Sequence, residues 1–463
     1  MSEETPLSNI DTPTEASAAE IAQSVETGQP QKTGLTRRDV LRKAASAAFM
    51  FTIVPRHVLG GPGYAAPSET ITRGVIGTGG QGLGGHVVAN AEGQPMVTLA
   101  VCDVDRNHLN SAVQKAGRGC QGYTDWRRLL DRRDMDTIHI ATPPHWHALM
   151  TIAAAQTGRD ILCEKPMTRF IHEAPAVAEA VERYGRVFQF NTWQRFSESS
   201  RKLRKLVASG LLGGPLTVRI SSRNGYNWKV QQWSGRTDLV AQPVPDNLDY
   251  DMWLGPAPYK PYHPHRVHQS FRGYWDYDGG GMNDMGQHYL DPVQYYLGKD
   301  HTSPVEIEAY APEPAHPDAV GMWGRVSMKY DDGTTIIIES GEWGDLEPGE
   351  HALIEGPKGK VFGGSEGIRL ERTEPAGLLD QLSKFPDPPR MIDFNEAVKT
   401  RIQPGGNARV GLRSVSLMHL ANTSIRTGRK LRYDPVALRF IGDEEANRLQ
   451  DVPLRAPWHL PMG

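Results

Sequence analysis

"GVIGTGGQG", residues Gly74 to Gly82, is the stretch on which the fold is read. Its first residues close the apolar run "RGVIGTG", which reads as a strand, and "GLGGHVVANA" after it reads as a helix. Between them stand Gly77, Gly79 and Gly82 in the spacing G-x-G-x-x-G. Glycines there let the backbone turn tightly and approach a pyrophosphate, which then rests on the helix N-terminus. The spacing alone says little in a chain with 48 glycines, but a strand before it and a helix after it predict a dinucleotide-binding βαβ unit.

Outward from this point the pattern repeats. "MVTLAVCDV", "TIHIATPP", "DILCEKP" and "VFQFN" read as strands, with helical stretches between them such as "RNHLNSAVQKA", "TDWRRLLDRR", "HALMTIAAAQTG" and "HEAPAVAEAVERYG". Near-continuous apolar strands alternating with helices predict a parallel sheet covered on both faces, a Rossmann domain over residues 69–192. Asp103 ends the second strand about 20 residues beyond the glycines, where a carboxylate accepts hydrogen bonds from a ribose and repels a 2′-phosphate, favouring NAD over NADP. Arg106 stands close enough to weaken that preference.

Residues 193–440 have another character. The stretch 193–275 is rich in Trp, Tyr, Pro and Gly and poor in periodicity. Alternating strands follow ("PVEIEAYA", "GRVSMKY", "TTIIIES", "HALIEG", "GKVFGG"), joined by "LTVRISS" from 216–222 and by two late helices. This predicts a second, α+β domain on a large open, mainly antiparallel sheet, with 441–463 as a tail.

The whole chain has 463 residues and a net charge of −3, which gives no reason to expect a nucleic acid or an anionic membrane as partner. No apolar run approaches the roughly 20 residues needed to span a bilayer. Residues 1–34 are polar and expected to be disordered. Residues 35–66 join Arg37-Arg38 to a short apolar run and a small-residue end at Gly63, Ala65 and Ala66, which resembles a twin-arginine export signal; a basic amphipathic helix is the plainer reading. Three cysteines, Cys102, Cys120 and Cys163, are too few and too odd for a disulfide framework.

Three further motifs carry chemistry. "ATPPHWH" places Thr142, Pro143 and His147 at the carboxyl edge of the sheet, where ligands bind. "CEKP" delivers Glu164 and Lys165 to the same edge, where a lysine polarises a hydroxyl or lowers the pKa of a neighbouring acid–base group. "GGGMNDMGQHYLD", residues 279–291, puts Asp284 and His288 one helical turn apart on one face, a catalytic pair or merely a polar helix. "HPHRVH" holds His263, His265 and His268 in a spacing that matches no standard metal site, so no metal is expected.

"GTGGQG", "ATPPHWH", "CEKP" and "GGGMNDMGQHYLD", in that order, resemble the Gfo/Idh/MocA oxidoreductases. The resemblance implies a nicotinamide cofactor, a sugar or cyclitol substrate, and a homo-oligomer, dimer or tetramer. By position it implies Lys165 as the active-site lysine, His288 as general base, and Asp284 as a substrate ligand that orients that imidazole. Glu164 and Lys165 would border the cofactor, with Gly77, Gly79, Gly82, Asp103, Thr142, Pro143 and His147. The aromatics of 193–275, among them Trp193, Tyr226, Trp228, Trp233, Trp253, Tyr274 and Trp275, offer faces for a pyranose, and Asn191, Gln194 and Arg195 offer partners for its hydroxyls. Core or subunit contact is the plainer role for any one of these aromatics.

Export would carry the enzyme to the periplasm, which holds no known free NAD pool. The cofactor is therefore expected to be tightly bound and recycled. The expected activity is oxidation of a sugar, glycoside or cyclitol carbinol. The alternatives are a glycosidase or lyase working by transient sugar oxidation, and an inactive sensor or scaffold that only binds cofactor.

Overall fold

Six short strands come first in the chain: β1 (Ile71–Ile76), β2 (Met96–Cys102), β3 (Gln121–Tyr123), β4 (Thr137–Ile140), β5 (Asp160–Cys163) and β6 (Phe188–Phe190). In the computed structural model, which describes residues 69–460 apart from 92–93, 312–314, 344–348 and 366–368, they form one sheet in the order β3-β2-β1-β4-β5-β6. Every neighbouring pair is parallel. The helices Arg106–Ala116 (α1), His147–Gln156 (α2) and Glu173–Arg183 (α3) supply crossovers, and β4 is buried along its whole length, as the apolar runs require. Chain order reverses between β1 and β4, and that switch point opens the crevice where such sheets bind ligands.

One expected helix is mostly absent. After the glycine loop only a five-residue π-turn forms, Gly82–His86, closed by Val87 N–H donating to the Gly82 carbonyl at 3.0 Å. Two of its residues are Gly84 and Gly85, and each glycine in a helix interior costs about 1 kcal/mol relative to alanine.

The second sheet has nine strands in the order β13-β12-β11-β7-β10-β9-β8-β14-β15. They are β7 (Thr217–Ser221), β8 (Glu306–Tyr310), β9 (Arg325–Lys329), β10 (Thr335–Glu339), β11 (Ile354–Gly356), β12 (Gly359–Gly364), β13 (Arg369–Glu374), β14 (Leu431–Asp434) and β15 (Arg439–Phe440). The sheet is mixed, because β7 and β10 run parallel while the other pairs are antiparallel. A long excursion separates those two strands in the chain, which gives room for a crossover.

The longest helix within the aperiodic stretch 193–275 is α4 (Glu198–Ala208), capped by the Ser197 hydroxyl accepting from Ser200 N–H at 3.1 Å; the short helix Tyr250–Leu254 is a second. Helix α4 buries only Ser200, Leu203 and Leu206, so its apolar stripe is narrow and easily passed over in the sequence. Much of the surrounding Trp and Tyr content packs into a core of its own, with Tyr250, Trp253, Tyr274 and Tyr277 at its centre.

The helix that follows, α5 (Gly280–Leu297), is buried on nearly every side. Two of its buried polar residues tie it to neighbouring segments: Asn283 accepts from Asn422 at 2.8 Å, and Gln287 accepts from Met167 N–H at 2.9 Å and donates to Ser414 at 3.2 Å. Asn422 and Ser414 belong to the long helix Ala408–Thr427. Gly286 lies under Met418 of that helix, where a Cβ would come within 2.6 Å of Met418 Cγ.

A strand-like segment also ties the second half of the chain back to the β2–α1 loop. Leu248 bridges Asp105, Arg106 N–H donates to Asn247 O at 2.9 Å, and Asp249 N–H donates to Val104 O at 3.0 Å. Cys102, Cys120 and Cys163 are free, the first and last buried at strand ends. No described helix is long and apolar enough to cross a membrane. The polar extension 1–34, the export signal 35–66 and the last three residues of the tail lie outside the described residues.

Candidate active site

A cleft of about 800 Å³ runs from the glycine loop after β1 to α5. At its first end the backbone is forced. Gly77 has φ +84°, and a Cβ there would stand 2.6 Å from Ala141 C and Thr142 N, where the loops after β1 and β4 cross. A Cβ on Gly82 would fall 1.9 Å from the Gly77 carbonyl oxygen, so the loop closes on itself only with glycine at both positions. The Asp103 carboxylate accepts from Thr78 N–H at 2.7 Å and from Asp105 N–H at 2.9 Å, holding the loop against the end of β2.

Asp105 stands beside it, 4% exposed, accepting from Asn247 Nδ2 at 2.9 Å. His268 Nε2 lies 3.4 Å from the same carboxylate, and the His108 and His268 rings meet edge to face at 4.9 Å. His263 and His265 point elsewhere: His263 Nδ1 accepts from His265 N–H, and His265 Nδ1 lies 2.7 Å from the Tyr274 hydroxyl.

At the other end, α5 presents Asp284 and His288 to the cleft together, one turn apart as expected. Lys165 reaches them from the end of β5, its Nζ 2.8 Å from Asp284 Oδ1 and 2.6 Å from the Asp284 carbonyl oxygen. Arg272, which belongs to none of the sequence motifs, donates from Nε to the same Oδ1 at 2.7 Å. Its guanidinium lies over the Trp233 and Phe271 rings, each 4.8 Å from the centroid. Burial raises the Asp284 pKa, but Lys165 and Arg272 outweigh it and hold the carboxyl below its ordinary range.

Burial, reinforced by Lys165, lowers His288 to about 4, so its imidazole is neutral across physiological pH. Asp284 makes no hydrogen bond to His288; its Oδ1 serves both Lys165 and Arg272, and His288 Nδ1 is buried without a partner among the described residues. A further acid on this wall, Asp278, is 1% exposed and pushed up to about 6 by burial and by neighbouring Asp284, against the pull of Arg272.

Glu164 joins the two ends. One of its oxygens accepts from Asn191 at 2.7 Å and Gln81 at 2.9 Å and lies 2.8 Å from His86 Nε2. Burial opposes its ionisation, but His86, Asn191 and Lys165 together lower it to about 2. Thr142, Pro143, Asn191 and Trp193 also line the cleft, as do Trp233 and Trp253, and Trp193 is 56% exposed at the rim.

Three expected contacts are corrected. Arg195 is 1% exposed and off the cleft, its guanidinium held by Asp291 at 2.7 Å and Asp300 at 2.7 Å. Trp228 is fully buried against Tyr289 and Trp323. His147 is also fully buried, with Nδ1 2.7 Å from Pro166 O and Nε2 2.8 Å from Thr142 O; it ties two cleft loops together from behind. Gln194, Tyr226, Tyr274 and Trp275 lie off the cleft wall as well.

This arrangement of fold and site has relatives. Residues 71–192 match a family model described as "Oxidoreductase family, NAD-binding Rossmann fold". Residues 196–460 match the corresponding "Oxidoreductase family, C-terminal alpha/beta domain". The chain belongs to the Gfo/Idh/MocA oxidoreductase family. Among curated members, the oxidoreductase YrbE of Bacillus subtilis is 22% identical over 78% of this chain and 96% of its own length. Levoglucosan dehydrogenase of Pseudarthrobacter phenanthrenivorans is 27% identical over 41% of this chain and 40% of its own length. Among solved structures, the WlbA dehydrogenase of Bordetella pertussis, in complex with NADH and UDP-GlcNAcA, superimposes with a TM-score of 0.56 at 20% identity, covering 79% of this chain and 98% of that one. The protein is thus an NAD(P)-dependent oxidoreductase of this family, and its glycine loop and the carboxylate of Asp103 fit a dinucleotide.

Proposed function

We propose that this oxidoreductase removes hydride from a carbinol of a sugar, glycoside or cyclitol, with His288 as general base. The observation that carries the reading is the meeting of Lys165, Asp284 and His288 at the end of a cleft whose other end is a dinucleotide loop. Levoglucosan dehydrogenase among the relatives supports the substrate class.

The nicotinamide cofactor, held by the loop at Gly77, Gly79 and Gly82, by Asp103 and by the Thr142–Pro143 turn, would supply the hydride acceptor. The chain's own groups handle the proton. A neutral His288 accepts it from the substrate hydroxyl. Lys165 has three N–H donors and uses two on Asp284, which leaves one for the oxygen that becomes negative as the proton departs. Asp284 keeps that ammonium aimed and is itself kept ionised by Arg272. NAD is the preferred form, because Asp105 adds a second carboxylate beside Asp103, whereas Arg106 is exposed and off the cleft wall.

Export by the twin-arginine route to the periplasm, with NAD carried along and retained, completes the proposal. The backbone bonds from Asn247 and Asp249 to the β2–α1 loop favour retention, since they brace the adenosine side of the cleft against opening. A second reading, transient oxidation followed by elimination at the neighbouring carbon, draws support from Asp278. Its carboxyl, at about 6, suits a second proton transfer at neutral pH.

Purified protein should show nicotinamide absorbance that survives dialysis and changes when sugars are added. Protein that arrives empty and turns over only with millimolar soluble NAD would refute retention. Released aglycone, against a keto-sugar, separates the two reactions.

A further inference from the structure

The substrate end of the cleft holds a cation that the proposed oxidation does not use. Lys165 and Arg272 both pair with Asp284, at 2.8 Å and 2.7 Å. Lys229 lines the same cleft and is half-buried, and no described residue offers its ammonium a carboxylate or a hydrogen bond. Asp278, the other acid on that wall, is 1% exposed and accepts from Gly279 N–H at 2.9 Å, without an ion pair to Lys229.

The turn that carries Lys229 is built with care for its position. Lys229 sits at φ +53°, in the left-handed region where a residue with a Cβ is disfavoured and glycine or asparagine is preferred. Its N–H donates to the Asn227 side chain at 3.0 Å, and its carbonyl accepts from Trp233 N–H at 3.0 Å. Val230 and Gln231 N–H groups donate to the Glu342 carboxylate at 2.8 Å and 2.7 Å. Two of the contacts are with α5 itself: Tyr289 donates its hydroxyl proton to Asn227 O at 3.1 Å, and a Cβ on Gly281 would fall 2.1 Å from Trp228 O. The lysine is thus fixed to the helix that bears His288. A strained lysine on a ligand cleft, its charge unpaired among the described residues, is an arrangement that a ligand anion would satisfy.

We infer that Lys229 selects a substrate bearing a carboxylate, a sugar acid whose anion pairs with Lys229 while a neighbouring hydroxyl lies between Lys165 and His288. One unpaired cation matches one negative charge. A phosphate dianion would leave a second charge facing Asp278 and Asp284, so a carboxylate is the better fit. The inference rests on the dehydrogenase reading of the site.

The test uses the holoenzyme in its NADH-loaded form, which cannot oxidise an alcohol, with binding read from nicotinamide fluorescence. The probes are uronates and aldonates of several hexoses, their neutral parent sugars, and the hexose 6-phosphates. The acids should bind about tenfold or more tighter than their neutral parents. In Lys229→Gln and Lys229→Gly that ratio should fall to near one, and Lys229→Gly should not lower Tm, because glycine relieves the backbone. Acids and neutral sugars binding alike, no binding by any probe, or a preference that survives in Lys229→Gly would overturn the inference. Tighter binding of the phosphates would overturn the carboxylate assignment. The dehydrogenase reading is scored separately on the NAD-loaded enzyme: if no sugar of either charge reduces the bound nicotinamide, that reading fails while the binding ratio still judges Lys229.

Discussion

At the glycine end of the cleft the wall is mainly main chain: Gly77 crossing Ala141, Gly82 folded onto Gly77, and Asp103 accepting from two backbone amides. At the α5 end, where catalysis is proposed, it is side chains with opposed charges, Lys165, Arg272 and Asp284, carried by three separate stretches of chain. A few residues in sequence order suffice for the first arrangement. The second needs the whole second domain to close on the first, because no pair among these groups means anything until α5 lies across the end of β5. The contrast predicts that changes at the catalytic end should leave cofactor in place, while changes at the glycine end should release it.

His288→Ala breaks that prediction most sharply if it fails. Turnover should fall by about 10²–10⁴-fold with nicotinamide content unchanged; unchanged turnover would remove His288 from the mechanism. Arg195→Met comes next. It strands Asp291, whose side chain is fully buried, and should cost about 3–5 kcal/mol of stability by denaturant titration while leaving KM of the folded enzyme alone. A large change in KM with stability intact would return Arg195 to the substrate. Gly77→Ala combines a left-handed φ with a Cβ 2.6 Å from Ala141 C, and should cost about 2–4 kcal/mol and the bound cofactor together.

The pH profile sharpens the catalytic end. His288 accepts a proton only when neutral, and its pKa is lowered to about 4, so the acidic limb of kcat/KM should turn near pH 4 rather than near 6.5. Lys165 is one cause of that lowering, so Lys165→Met should move the limb upward in whatever activity remains. The smallest effect belongs to Asn247→Ala. Losing its bond to Asp105 should speed NAD release about fivefold, the equivalent of about 1 kcal/mol, in a dialysis or fluorescence chase.

The helix α5 illustrates how legibility divides. Asp284 and His288 were readable as a pair because their spacing is a property of the helix itself, and both do face the cleft. Their partners were not readable from that spacing. Asp284 was expected to orient His288, yet Arg272 from a 3₁₀ turn takes the carboxylate, and nothing in "SFRGYWDYDGGG" announces that. Asn191 and Trp193 reach the cleft, whereas their neighbour Arg195 turns inward to Asp291; within one loop, direction is set by the partners each side chain meets. The β-rich half was legible as alternating strands, but the parallel pairing of β7 with β10 depends on a crossover that no local pattern records.

By itself the sequence determined what is local: parallel strands from their continuous apolar runs, a tight turn from the glycines that follow the first strand, and the shared helix face of Asp284 and His288 from helical period. Tertiary structure alone decided which charges meet, that Lys165 and Arg272 share Asp284, that His147, Arg195 and Trp228 are buried as scaffold, and that Lys229 lines the cleft without a carboxylate partner among the described residues. The reason is physical. Backbone geometry is set by neighbours within a few residues, whereas burial and charge pairing are set by distance in space, which only the closed fold defines.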